Sequence, residues 1–196
     1  MWQQILPGIR IKIFMTILLG VVYPLAMTGI SQLLFPHQAN GSLITSGGKV
    51  IGSELIGQRF TKPEYFLGRA SNAGSNGYDP QASGGYNQGA TNKKLVDRVK
   101  ASVEQFRKDN PDYQGPIPSD LVTGSASGLD PHLSPAAAYA QAARVARARD
   151  VAAGQVRALI AQFTEAPGFG ILGEPRVNVL RLNLALDRRY PKRQTN

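Results

Sequence analysis

The chain has 196 residues, no cysteine, a formal net charge of +9, and 42% hydrophobic against 18% charged residues. That composition suits a folded protein with room for one domain beside a membrane segment, and it excludes disulfides, thiol catalysis and thiolate metal sites. The positive charge raises nucleic acid as a partner, but the basic residues are spread along the chain, and no nucleic-acid role is expected.

In chain order, the first feature is the stretch Ile13 to Phe35, 23 residues without a charged side chain. As a helix rising about 1.5 Å per residue it is roughly 34 Å long, enough to cross a bilayer core. It reads as an uncleaved transmembrane helix, since its apolar core exceeds that of a signal peptide and no A-x-A-like site follows. Pro24 and Gly29 interrupt it, which membrane helices tolerate when neighbours repair the backbone. Thr16 and Gly20, four apart, offer a close-approach point for another helix. Arg10 and Lys12 precede the span and no charge follows until Lys49. By the positive-inside rule the N-terminus is cytoplasmic and the rest lies outside. The expected organisation is 1–36 as N-terminus and anchor and 37–196 as a single extracytoplasmic domain.

Residues 37–62 carry short apolar runs and a Gly47-Gly48 turn, predicting a hairpin. Residues 63–90, rich in Gly, Ser and Asn, predict an irregular loop ordered by Tyr65, Phe66, Tyr78 and Tyr86. Thr91 or Asn92 caps a helix to about Asp109, with Leu95, Val99, Val103 and Phe106 on one face and Pro111 as its stop. The loop Asp120 to Pro131 follows. Ser134-Pro135 starts an alanine-rich helix to about Arg149, and Asp150 is expected to cap another to about Thr164, burying Val156, Leu159, Ile160 and Phe163. Pro175 to Asp187 reads as a strand, because Leu180, Leu182, Leu184 and Leu186 alternate with Arg181, Asn183, Ala185 and Asp187. The fold class is α+β, with a small antiparallel sheet and about three helices behind the anchor.

Templates for chemistry fail on named parts. The Walker pattern breaks at Leu43 and Val50 around Gly48-Lys49. Ser46-Gly47-Gly48-Lys49 fits S-x-x-K, which makes an anchored serine hydrolase using Ser46 and Lys49 the alternative function, but no S-D-N or K-T-G accompanies it. His37 and His132 are too isolated for zinc, no metal site is expected, and the acids suggest no catalytic pair. Gln141 and Arg144, at i and i+3, share a helix face and could bind an anion, although the spacing fits a solvated face better. The basic clusters Arg144, Arg147, Arg149 and Arg188, Arg189, Lys192, Arg193 suit lipid headgroups or an acidic protein surface. The residues alone describe a membrane-anchored, non-catalytic interaction subunit.

Three segments carry a resemblance: DLVTGSASGLDPHLSPAAA (Asp120 to Ala138) with Gln141 and the run Arg144 to Arg149, GSELIGQRF (Gly52 to Phe60), and LGEPRVNVLRLNLALD (Leu172 to Asp187). Weaker matches are Tyr65 to Arg69 and Ser83-Gly84-Gly85 through Thr91-Asn92. Taken along the chain behind one N-terminal span, they cover most of it in the family's order and resemble the KdpC family, the small subunit of the bacterial Kdp potassium-transporting P-type ATPase. Departures are Ala70-Ser71-Asn72 where the family usually has P-S-A, Asp150 where glycine is common and Arg181 where glutamate is common.

The resemblance implies a bacterial inner-membrane complex of a potassium-translocating subunit, an ATP-hydrolysing subunit, this single-pass chain with a periplasmic domain, and a small membrane peptide. It implies an accessory role in assembly and activity, described as a catalytic chaperone raising ATP affinity. Gln141 stands at the nucleotide-associated position, with no cofactor firmly held and ATP met only through the complex. Ser127, Gly128, Leu129, Asp130, Pro131 and Arg144 are the candidates for partner binding.

Overall fold

In the computed structural model, which describes residues 2–191, helix α1 spans Trp2–Leu34. It starts eleven residues before Ile13, so Arg10 and Lys12 lie within it, and it stops one short of Phe35. Its most apolar stretch buries nothing within the chain, as a helix solvated by lipid does. Pro24 explains a local irregularity. Its ring lacks an N–H and crowds the carbonyl four residues back, and the preceding turn, Leu18–Val22, widens to a π-helix in which Tyr23 N–H donates to Leu18 O. Such single π turns are a standard way to absorb an interruption.

Contacts divide the chain into two compact units, Met1–Ile51 and Gly52–Asn196. After α1 and one helical turn at Pro36–Ala39 come β1 (Leu43–Ser46) and β2 (Lys49–Ser53), which pair as a two-stranded sheet. Gly47 and Gly48 join them at φ +57° and +76°. A two-residue hairpin turn with both residues left-handed strongly favours glycine.

The second unit opens with the irregular segment, ordered as its aromatic residues predict: Phe66 is fully buried. Helix α2 (Lys93–Asp109) is capped by Asn92, whose side chain accepts from Lys94 N–H. Of its apolar stripe only Phe106 is buried. Leu95, Val99 and Val103 are half-buried.

The core is built around α3 (Pro135–Arg149), capped by Ser134 Oγ accepting from Ala137 N–H at 3.1 Å. Ala138, Ala142 and Ala146 make a four-spaced ridge, all buried, and such small side chains let neighbouring helices approach closely. Against it lie α4 (Ala153–Gln162) and α5 (Val179–Arg189), whose Val156, Ile160, Leu182 and Leu186 join the same cluster. The sheet is three short antiparallel strands, β3 (His132–Leu133), β4 (Thr164–Glu165) and β5 (Arg176–Asn178), with β5 central. Leu133 and Thr164 both face Val177 in register.

At two places the fold departs from the sequence pattern. The segment from Pro175 to Asp187 is a three-residue strand followed by helix α5. The leucine alternation fits a strand, but Val179, Leu182 and Leu186 equally mark i, i+3 and i+7, and leucine, arginine and alanine favour helix. Asn178 decides it by accepting from Arg181 N–H at 3.1 Å as N-cap. Asp150 does not open α4. It ends α3 in the left-handed conformation, φ +54°, with its N–H on Ala146 O and Arg147 O, while Val151 N–H also reaches Ala146 O. That is a Schellman-type close, where glycine is ordinarily preferred. The α4 N-terminus is instead met by Gln155 Oε1, which accepts from Ala152 N–H.

Candidate partner-binding site

Gln141 and Arg144 are 1% and 5% exposed, so the solvated face predicted for them is wrong. Together with Arg149 they bind the backbone of 63–67. Gln141 Oε1 accepts from Leu67 N–H at 2.9 Å, and its Nε2 donates to Leu67 O at 3.1 Å and Ala137 O at 3.4 Å. Arg144 donates to Pro63 O, to Tyr65 O at 3.0 Å, to Gln141 Oε1 at 2.7 Å and to Asn110 Oδ1 at 3.1 Å. Arg149 donates to Glu64 O and to Asp187. From the other side Asn183 on α5 accepts from Phe66 N–H at 2.9 Å and donates to Phe66 O at 3.0 Å. The segment thus has side chains where a strand would have a ladder, which satisfies its buried backbone groups.

Burial lowers the Arg144 pKa to about 10, the nearby Asp109 carboxylate opposing and Arg147 adding to that fall. The predicted basic cluster is therefore split. Arg144 and Arg149 are committed inside, while Arg147 is exposed and paired with Asp112. Arg188 and Arg189 end α5, and Lys192 and Arg193 lie outside the described residues.

A second cluster joins the loop Asp120 to Pro131 to residues 69–86. Asp130 accepts from Arg69 Nη1 at 2.9 Å and from His132 N–H at 2.9 Å, with His132 Nδ1 at 3.5 Å. Burial would raise the Asp130 pKa, but the His132 and Arg69 hydrogen bonds and the Arg69 charge outweigh it and hold the group at about 2. Ser71 Oγ donates to Gly128 O and accepts from Tyr78 N–H at 2.7 Å, and Tyr78 Oη donates to Arg69 O. Burial first, then the Asp130 charge, pushes the Tyr78 hydroxyl up to about 12. Gly128 has φ +69°, and a Cβ there would lie 2.8 Å from Gly84 O. Only glycine permits that approach.

Of the candidates for partner binding, Ser127 is exposed, Leu129 and Asp130 are half-buried, and Gly128, Pro131 and Arg144 are buried. Beside them are two open clefts. One of about 590 Å³ is lined by Arg69, Asp120, Asp130, His132 and Arg176. The other, about 790 Å³, is lined by Arg59, Asn72, Asn76, Tyr78 and Tyr86. Gln141 touches a third, of about 460 Å³, shared with Phe106 and Arg98. Arg98 stacks on Tyr86 at 3.6 Å. Ser46 and Lys49 are both exposed on the hairpin, on either side of the Gly47-Gly48 turn, and this open setting gives the hydrolase reading no support. Among the described residues no group of three His, Asp or Glu could hold a metal ion.

The sequence assigned no partner to Asn183 or Arg69, and it placed Arg149, which is buried, in an outward-facing basic cluster. For Asn183 the signal was a lone amide within a leucine-rich run, a residue type that must find partners if buried.

A family model described as "KdpC: K+-transporting ATPase, c chain" matches residues 5–188. The chain belongs to the KdpC family. A KdpC subunit of a potassium-transporting ATPase from Myxococcus xanthus is 55% identical, covering 97% of this chain and 90% of that protein. The counterpart from Rhodospirillum rubrum is 53% identical, covering 97% and 98%, and that from Gemmatimonas aurantiaca is 54% identical, covering 95% and 94%. The KdpC match takes in α1, the 63–67 segment and the Asp130 cluster together, so membership covers both compact units. It makes the chain a subunit-type component of a potassium-transporting ATPase, and the apolar α1 fits membrane anchoring.

Proposed function

We propose that the chain is a single-pass accessory subunit of an ATP-driven potassium uptake complex, with its N-terminus cytoplasmic and residues after α1 outside. The match over residues 5–188 supports the subunit role, and Arg10 and Lys12 ahead of the uncharged stretch support the orientation. The domain binds the potassium-translocating subunit on its outer face, stabilising the assembly and shaping ion access, and supports the ATP-hydrolysing subunit without itself catalysing hydrolysis. The small membrane peptide and lipid are met by α1. Two features support a docking role: the clefts around Asp130 and Tyr78 are open, and the loops forming them are cross-braced by Ser71 and Arg69. Pre-organised loops lose less freedom on binding.

ATP enters only through the complex. The Gln141 amide already spends its oxygen and its nitrogen on Leu67, Ala137 and Arg144, so direct nucleotide contact requires breaking some of these. We assign it first to positioning residues 63–67.

The chain has no cysteine, so single Ser75→Cys and Ser127→Cys variants report cleanly. Labelling by an impermeant reagent from outside intact spheroplasts, and crosslinking to the potassium-translocating subunit, are expected. Labelling only from the cytoplasmic side refutes the orientation.

A further inference from the structure

Between β4 and β5 the chain projects a small tip. Gly168 and Leu172 exchange both backbone hydrogen bonds, at 2.8 and 2.9 Å, and Gly170 N–H closes the turn on Pro167 O at 2.9 Å. On this braced tip Phe169 is 97% exposed, Ile171 83% and Leu172 62%. Phe169 also sits at φ +53°, a left-handed conformation disfavoured for any residue with a Cβ and rare for a bulky one. Two local costs, hydration of a phenyl ring and backbone strain, have no return among the described residues. Such outliers persist where they serve a function.

Charge separates the two kinds of surface that would take an apolar tip. A loop that enters an anionic bilayer is ordinarily flanked by Lys or Arg. From 166 to 175 the one charged residue is Glu174. The nearest bases, Arg176 and Arg181, are both tied to Glu165. Three large apolar side chains on a rigid, uncharged tip have the form of an anchor that fills a pocket on another protein.

We propose that Phe169, Ile171 and Leu172 dock into an apolar pocket of another protein subunit of the same transport complex. This rests on the accessory-subunit reading above. Phe169, Ile171 and Leu172 line neither the Asp130 nor the Tyr78 cleft, while Glu174 and Pro175 at the base of the tip border the first.

The test uses the full chain within its complex. A benzophenone amino acid replaces Phe169 in one variant and Ile171 in another, and the complex is irradiated in native membranes. Crosslinks to another subunit are expected from at least one position. Crosslinks to lipid alone, or to nothing, overturn the proposal while copurification of the wild-type chain keeps the accessory-subunit reading intact. If the wild-type chain does not copurify with other subunits, both fall. Phe169→Gly adds a readout that a structural role would not give. It relieves the left-handed strain, so the isolated chain in detergent melts higher, by about 2–4 °C, while affinity for the rest of the complex falls about thirtyfold, the size of a hot-spot loss. Undiminished affinity in Phe169→Gly also overturns the proposal.

Discussion

Gln141→Leu separates the two roles open to this glutamine. Leucine keeps much of the side-chain bulk but removes every polar atom, leaving Leu67 N–H and C=O without the partners at 2.9 and 3.1 Å and Arg144 without its 2.7 Å acceptor. Gln141 itself is 1% exposed, while Leu67 is half-buried at the edge of an open cleft, so water replaces only part of what is lost. A buried polar group stripped of its partner costs about 1–3 kcal/mol. With two backbone groups stranded and Arg144 retaining Tyr65 O and Asn110, the expected loss is about 3–4 kcal/mol. For a domain of this size that lowers the melting temperature by about 10 °C. The assay is thermal unfolding of the full chain in detergent, followed by circular dichroism. A melting temperature within about a degree of wild type, together with weakened ATP affinity in the complex, refutes the positioning argument and makes Gln141 a direct nucleotide contact.

Asn183→Leu should lose a similar amount, because it strands Phe66 N–H and O. The double variant with Gln141→Leu should lose less than the sum, since both hold one segment; a double-mutant cycle measures this. Asp150→Gly should raise stability by about 1 kcal/mol by relieving the left-handed α3 terminus at φ +54°, seen as a melting temperature about 2–4 °C higher. Because the Asp130 pKa is lowered from 3.8 to about 2, its contribution to stability is present above about pH 4 and lost as pH falls through 2. Asp130→Asn should therefore flatten the stability profile between those values. Tyr78 behaves oppositely, its hydroxyl raised from 10.0 to about 12, so its contribution is intact below pH 10 and lost as pH climbs through 12. Tyr78→Phe should remove that alkaline loss.

Legibility in the sequence followed how locally each feature is determined. Apolar length, the Gly-Gly turn, and the Asn92 and Ser134 caps depend on a few neighbouring residues, and each is in place. Residues 175–187 failed because alternating leucines satisfy two periods at once, and Asn178 breaks the tie through one capping bond. The burial of Gln141 and Arg144 was illegible for a different reason. On helix spacing they make an ordinary polar pair, and their partners are backbone groups of 63–67, more than seventy positions away. Nothing local announces such a long-range match. The same holds for Asp130, whose partner Arg69 comes from a glycine-rich loop that periodicity cannot place. Family resemblance compensates by carrying these long-range pairings together.

On the function proposed above, this chain is an attached member of a potassium pump that leaves ATP hydrolysis to another subunit. Purifying the tagged full chain from native membranes in mild detergent and assaying the product for ATP hydrolysis tests it directly. Larger membrane subunits should accompany the chain, with hydrolysis that rises with added potassium. A chain recovered alone, or accompanied by proteins whose hydrolysis ignores potassium, would contradict it.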